Sequence, residues 1–409
     1  MPAQHRLQTV AVSVFLLILI AGVATEQAPL GQPKGDGLLR SELSLGGRTA
    51  TLAYAPDLKA SDAVHKGLLS ATTGAASARV RVGQLDTTGS LRVASIDLAG
   101  PPQQLQTPAG SQSTVAPGQG PAAIQYDLWL EGANNGWQLQ VTDADKGLVG
   151  QIPLSRQAAA PASPNLVAAL IPEDSIVGRL VLRWGDYQAT ADVLFTNPSR
   201  RRTEENRGVN VTTSRRHDDD TSALSRARLL AQRNETALVL PKGPRMSVSF
   251  QRTFARSDRT DGNPNTSRGL GVDGPDFARL MQTPDGAIVM LTESSVPRLR
   301  TEVPLQFGKA LIATGNQVAG FPGSYGVWLK KVGSGWRLVF NNEPDAWGSQ
   351  HDPKFDAAEI ELSHSDGHAA ARPFAVAIVP DGAARGRLVI LWGPHEWTAD
   401  FVTSSRTIP

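Results

Sequence analysis

"YGVWLKKVGSGWRLVF" at 325–340 decides how the chain is read, because "YDLWLEGANNGWQLQV" at 126–141 repeats it. Tyr126 and Tyr325, Trp129 and Trp328, Leu130 and Leu329, Gly136 and Gly335, Trp137 and Trp336, and Leu139 and Leu338 each lie 199 positions apart. Further on, "GRLVLRWGDYQATADV" (178–193) matches "GRLVILWGPHEWTADF" (386–401) at an offset of 208, pairing Trp184 with Trp392 and Asp192 with Asp400. "IPLS" at 152–155 with "IELS" at 360–363, and Pro172 with Pro380, keep that second offset. Rare residues held at fixed offsets mark a duplication. The second copy has gained nine residues between the two blocks, and "WGSQHDPKFD" (347–356) lies in the stretch that holds the gain.

Each copy reads as short strands. Val80, Val82, Leu91, Val93 and Ile96 fall in roughly alternating stretches, and β-branched runs recur between Gly, Pro, Asn and Asp breaks. That pattern predicts an all-β sandwich or barrel, with no long helical periodicity to compete. Because side chains alternate along a strand, Tyr325, Val327 and Leu329 share one face and Trp328 and Lys330 the other. "WGDY" and "WGPHEW" read as turns of a closing hairpin, with Gly185 and Gly393 supplying the backbone freedom. The fold expected is all-β: two tandem antiparallel β-sandwich units, 40–196 and 246–405. A charged, largely disordered linker at 197–245 joins them. "PPQQLQTPAGSQSTVAPGQGP" (101–121) is a polar loop within the first unit.

Residues 1–24 read as an export signal. His5 and Arg6 precede the apolar run "VAVSVFLLILIAGVA" at 10–24, and Gly22 and Ala24 offer a small-residue cleavage site. An uncleaved signal would be the one membrane contact. The expected location is therefore secreted or periplasmic. The 40 basic and 38 acidic side chains nearly cancel, which argues against nucleic acid or an anionic membrane as partner. The absence of cysteine excludes thiol catalysis, thiolate zinc and iron–sulfur chemistry. No G-x-S-x-G elbow, phosphate-cradling glycine loop or dinucleotide fingerprint is present, and no cofactor is implied.

Among the eight Trp, the in-step Trp137, Trp184, Trp336 and Trp392 read as core. Trp129 and Trp328 fall out of step, and mark either a second buried face or an exposed platform for a ligand. His364 and His368 in "HSDGH" have a ligand spacing suited to a helix but follow a strand-like segment, and "HDDD" (217–220) reads as solvated linker. The candidate site is the expanded loop. Trp347 would form an apolar wall, His351, Asp352 and Asp356 polar contacts, and Trp328 a flanking aromatic. Asp345 and Glu359 could join these carboxylates around a hard cation. The structural alternative is that Asp352-Pro353 makes a turn, Asp356 caps it and Trp347 covers a sandwich edge.

The stretch from Tyr325 through Trp328, Trp336, Asn341, Trp347, Gly348, Gln350, Asp352, Pro353 and Asp356 to Trp392 resembles bacterial domain-of-unknown-function family 2911. The resemblance covers the last part of the second unit, and the first unit is a degenerate version without the loop. It implies an exported β-sandwich protein and supplies no mechanism. The functional expectation is a non-catalytic binding or interaction module of the periplasm or cell envelope, with a glycan or an envelope protein as partner. A metal-assisted hydrolase using 345–359 and a purely structural envelope protein are the alternatives.

Overall fold

Alternation in sequence becomes alternation in burial. Leu39, Ser41, Leu43 and Leu45 of the first strand point inward, with half-buried residues between them. A computed structural model describes residues 37–46, 48–70, 78–99, 124–133, 136–174, 176–195, 233–251, 270–292, 294–314, 323–344, 348–367 and 372–404. The signal reading at 1–24, the loop 101–121 and most of the charged linker lie outside these residues, as do Asp345, Trp347 and His368. Among the described residues no helix is long and apolar enough to cross a membrane.

The first unit contains β1 (Leu39–Leu45), β2 (Arg48–Tyr54), α1 (Ala63–Ser70), β3 (Arg79–Thr87), β4 (Leu91–Val93) and β5 (Ile96–Leu98). It continues with β6 (Ile124–Ala133), β7 (Gly136–Asp143), β8 (Gly147–Ser155), β9 (Gln157–Pro172) and β10 (Val177–Phe195). The second contains β11 (Asn234–Val239), β12 (Arg245–Phe250), α2 (Pro275–Leu280), β13 (Arg298–Thr301), β14 (Leu305–Phe307) and β15 (Ala310–Ile312). It ends with β16 (Ser324–Val332), β17 (Gly335–Asn341), β18 (Asp356–Asp366), β19 (Ala375–Pro380), β20 (Arg385–Trp392) and β21 (His395–Thr403). The chain is all-β apart from short helices, as the alternation predicts.

The duplication is visible in the register. Thr142 faces Leu148 across β7–β8 just past a bulge, and Asn341 faces Asp356 across β17–β18 just past the equivalent bulge. Gln157 opposes Gln188 in the first unit, and Ser365 opposes Glu396 in the second, 208 positions on. Gly185 and Gly393 have φ of +59° and +60°, and so turn the chain where the sequence places hairpins. Phe195 N donates to Ile176 O at 2.9 Å, matching Thr403 N to Ala384 O at 2.8 Å. The two ends of β10 therefore lie side by side, and β10 is the counterpart of the β20–β21 hairpin.

Where sequence similarity fades, topology carries the repeat on. β1–β2 and β11–β12 are equivalent hairpins, each followed by β3 or β13 and then β6 or β16. β1 and β11 pair antiparallel, so the two units share one continuous sheet, running β8-β7-β6-β3-β2-β1-β11-β12-β13-β16-β17-β18. Antiparallel pairing of equivalent strands relates the units by a local two-fold, as in an isologous dimer. The stretch expected to be linker as far as 245 thus holds β11 at its end; this strand is the seam, because its backbone groups complete the edge of β1. Ser41 accepts from Leu170 N at 2.9 Å and Thr236 donates to Val376 O at 3.0 Å, tying each unit's first strand to the opposite layer. Arg245 bridges across the seam to Glu42 at 3.0 Å and, within its own unit, to Glu235. One hydrophobic core runs through both units.

Candidate functional site

The out-of-step tryptophans define the outer face of the shared sheet, and the two units treat that face differently. In the first, Trp129 is half-buried; its indole N–H donates to Thr142 at 3.3 Å and the Arg79 guanidinium sits 4.3 Å from its ring. In the second, the equivalent Trp328 is 2% exposed and packs with Val296, Val339 and Ile288 in a small second core. The platform reading of Trp328 is corrected: its ring is buried against Ile288, Val296, Val339 and the His351 ring. Trp347 lies outside the described residues.

The loop is held as a cover by its backbone. Gly348 N donates to Ser294 O at 3.0 Å and Gly348 O accepts from Leu291 N at 2.8 Å. A Cβ on Gly348 would stand 2.2 Å from both Leu291 Cβ and Leu291 O, which explains a glycine here by close approach. Under the cover lies an apolar cavity lined by Leu291, Val327, Trp328, Phe374 and Trp392, among others.

Asn341, the last residue of β17 and 1% exposed, is the pivot. Its Nδ2 donates to Asp352 O at 2.9 Å and to Asp356 Oδ1 at 2.8 Å, and its Oδ1 accepts from Glu343 N at 2.8 Å. Asp352 caps the short 3₁₀ turn Pro353–Phe355 by accepting from Lys354 N at 3.0 Å. Phe355 O accepts from Asn342 N at 2.8 Å. His351 Nε2 lies 2.8 Å from Asp356 Oδ1, and its ring meets Trp328 edge-on at 5.1 Å. Glu359 is spanned by Lys330 and Arg337, each at 2.8 Å. Burial pushes its carboxyl up, but these two cations outweigh burial and hold it below the usual carboxylate range.

The structure therefore brings together four of the residues singled out from sequence: Trp328, His351, Asp352 and Asp356. The Asp352 carboxylate caps the turn, in the role expected of Asp356, and the Asp356 carboxylate takes Asn341 and His351 instead. Among the described residues no three His, Asp or Glu side chains converge to hold a metal ion. What the loop turns outward is Phe355, 43% exposed, with Lys354 beside it. His65 is likewise structural: buried, with Nδ1 2.8 Å from Ala60 O and its ring 4.7 Å from Trp184.

A second cluster lies at the far end of β18, and sequence reasoning gathered only part of it. His364 stands opposite Trp397, and Asp366 opposite His395. His364 Nε2 is 3.2 Å from His395 Nδ1; the His364 ring stacks on Trp397 at 5.3 Å and 23°, and Trp336 meets Trp397 edge-on at 5.4 Å. Burial pulls both imidazoles below the ordinary histidine value; Asp366 opposes this for both, while Lys331 adds to it for His364 and the neighbouring His364 for His395. His368, at a helix-like spacing from His364, lies outside the described residues. The legible signal was the alternation of His395 with Trp397, on a hairpin arm that could pair with "LSHSD". No family model, curated protein or solved structure matches the chain.

Proposed function

We propose that this is an exported, non-catalytic protein acting as a binding or interaction module of the periplasm or cell envelope, with a glycan or an envelope protein as its partner. One observation carries the reading. The expanded loop spends its carboxylates internally and presents an aromatic ring, Phe355, on a turn locked by Asn341, Asp352 and Gly348. A rigid exposed ring beside polar neighbours offers contact area at small entropic cost, which is what recognition needs. A metal-assisted hydrolase would instead need Asp352, Asp356 and Glu359 free to take a cation. The family resemblance around 324–401 and the apolar run at 10–24 support the exported setting.

The test combines location and binding. A fusion of residues 1–36 to a reporter active only after export should be active, and the full chain should fractionate with the periplasm or envelope. Co-sedimentation with purified peptidoglycan sacculi, and cross-linking in intact envelopes, should both be weakened by Phe355→Ala with no change in melting temperature. A cytoplasmic chain, or retention indifferent to Phe355→Ala, overturns the proposal.

A further inference from the structure

We infer that the imidazoles of His364 and His395 form a two-nitrogen binding site, completed by water, for a divalent transition-metal ion of the zinc, nickel or copper kind; no third His, Asp or Glu side chain among the described residues converges on it. Opposite residues on paired strands, and residues two apart on one strand, share a face, so His364, Asp366, His395 and Trp397 project together. His364 Nε2 and His395 Nδ1 are 3.2 Å apart. Metal–imidazole bonds are roughly 2.0–2.1 Å, so an ion equidistant from nitrogens 3.2 Å apart subtends about 103° between them, close to tetrahedral. The pair is thus spaced as a chelate before any ion arrives.

The proton balance is simple. In the resting pair one neutral ring donates its N–H to the lone pair of the other. Binding needs both facing lone pairs, so the shared proton moves to the distal nitrogen of the ring that held it, and no net proton is released. The remaining positions go to water, and the exposed Asp366 carboxylate adds negative charge on the same face. Stacking on Trp397 fixes the His364 ring, while the exposure of His364 leaves a path for the ion. The nearest opposing cation, Lys331, is turned onto the Trp336 face at 4.5 Å.

Comparison of the repeats argues that this arrangement is particular to the second unit. The positions 208 earlier are Arg156, Ala158 and Tyr187, and there the Arg156 guanidinium lies 5.4 Å from the Tyr187 ring. The first unit thus fills the spot with a cation of its own and has no carboxylate there. The second unit has two imidazoles whose facing nitrogens lie 3.2 Å apart, with a carboxylate on the same face. Nitrogen donors favour zinc, nickel and copper over calcium or magnesium.

Full-length protein titrated calorimetrically with Zn²⁺ or Ni²⁺, and followed by Cu²⁺ electron paramagnetic resonance, should bind one ion with nitrogen hyperfine splitting from two imidazoles. His364→Asn and His395→Asn should each weaken binding by about tenfold or more, by loss of a ligand. Asp366→Asn should weaken it by a smaller factor, while His351→Asn and His368→Asn should leave it unchanged. Because His395 is buried, the exposed His364→Asn variant, checked by its melting curve, keeps the test decisive if His395→Asn does not fold. Absence of a bound ion, affinity indifferent to His364→Asn, or loss on His368→Asn in place of His395→Asn overturns the site.

Discussion

Asn341 is where the loop can be cut from the sheet with one substitution. Its side chain makes three hydrogen bonds, at 2.9, 2.8 and 2.8 Å, and only 1% of the residue is exposed. Two are neutral, at about 1 kcal/mol each, and the one to the Asp356 carboxylate carries about 1.5–3 kcal/mol. Asn341→Ala removes all three and strands Glu343 N–H, while Asp352 C=O keeps the bond it accepts from Phe355 N–H at 3.1 Å. Asp356 keeps its contact with His351, and water can reach part of the rim. A net loss of about 2–4 kcal/mol is therefore expected, below the simple sum. Urea unfolding should show it as a lower midpoint at constant slope, and the Asn342 amide should lose its hydrogen-exchange protection. Asn341→Asp should be worse than alanine near neutral pH, because it sets a second carboxylate against Asp356, and should recover as both are protonated. A loss below about 0.5 kcal/mol, with Asn342 still protected, would refute the claim that this residue holds the loop.

Two further outcomes follow from the same cover. Gly348→Ala must push Leu291 aside from 2.2 Å, so the cover should lift, with Trp328 fluorescence shifting toward the solvated value and destabilisation of about 1–3 kcal/mol; an unshifted spectrum and unchanged stability would contradict the close packing. Glu359 is a carboxylate whose pKa is depressed in the folded state, so its contribution is present above the unfolded value and is lost as pH falls through the folded one. Being partly exposed, it should contribute less than about 1 kcal/mol at neutral pH. The stability gap between wild type and Glu359→Gln should close as pH drops through the acid range, and a gap that widens would reverse the assignment.

Local chemistry made much of this protein legible from its sequence. The two offsets of 199 and 208 located the duplication and its nine-residue expansion, because bulky Trp and turn-forming Gly are constrained wherever they recur. Alternation identified Trp137, Trp184, Trp336 and Trp392 as core, and all are at most 5% exposed. Positive φ at Gly185 and Gly393 marked the closing hairpins. All of these depend on residues near one another along a strand or a turn.

What tertiary structure alone decided involves partners far apart in the chain. Glu42 and Ala237 face each other across the β1–β11 seam, and nothing in either local pattern says that one sheet edge will complete the other. Trp328 and Trp129 read alike in sequence, yet the second unit buries its copy against Ile288, Val296, Val339 and the His351 ring. Alternation assigns a residue to a face; whether that face meets water depends on what else packs there. The same limit hid His395 from His364, which a strand pairing brings to 3.2 Å. Sequence placed the carboxylates of Asp352 and Asp356 within ten residues, and only the fold showed that Lys354 N–H holds the first and Asn341 the second.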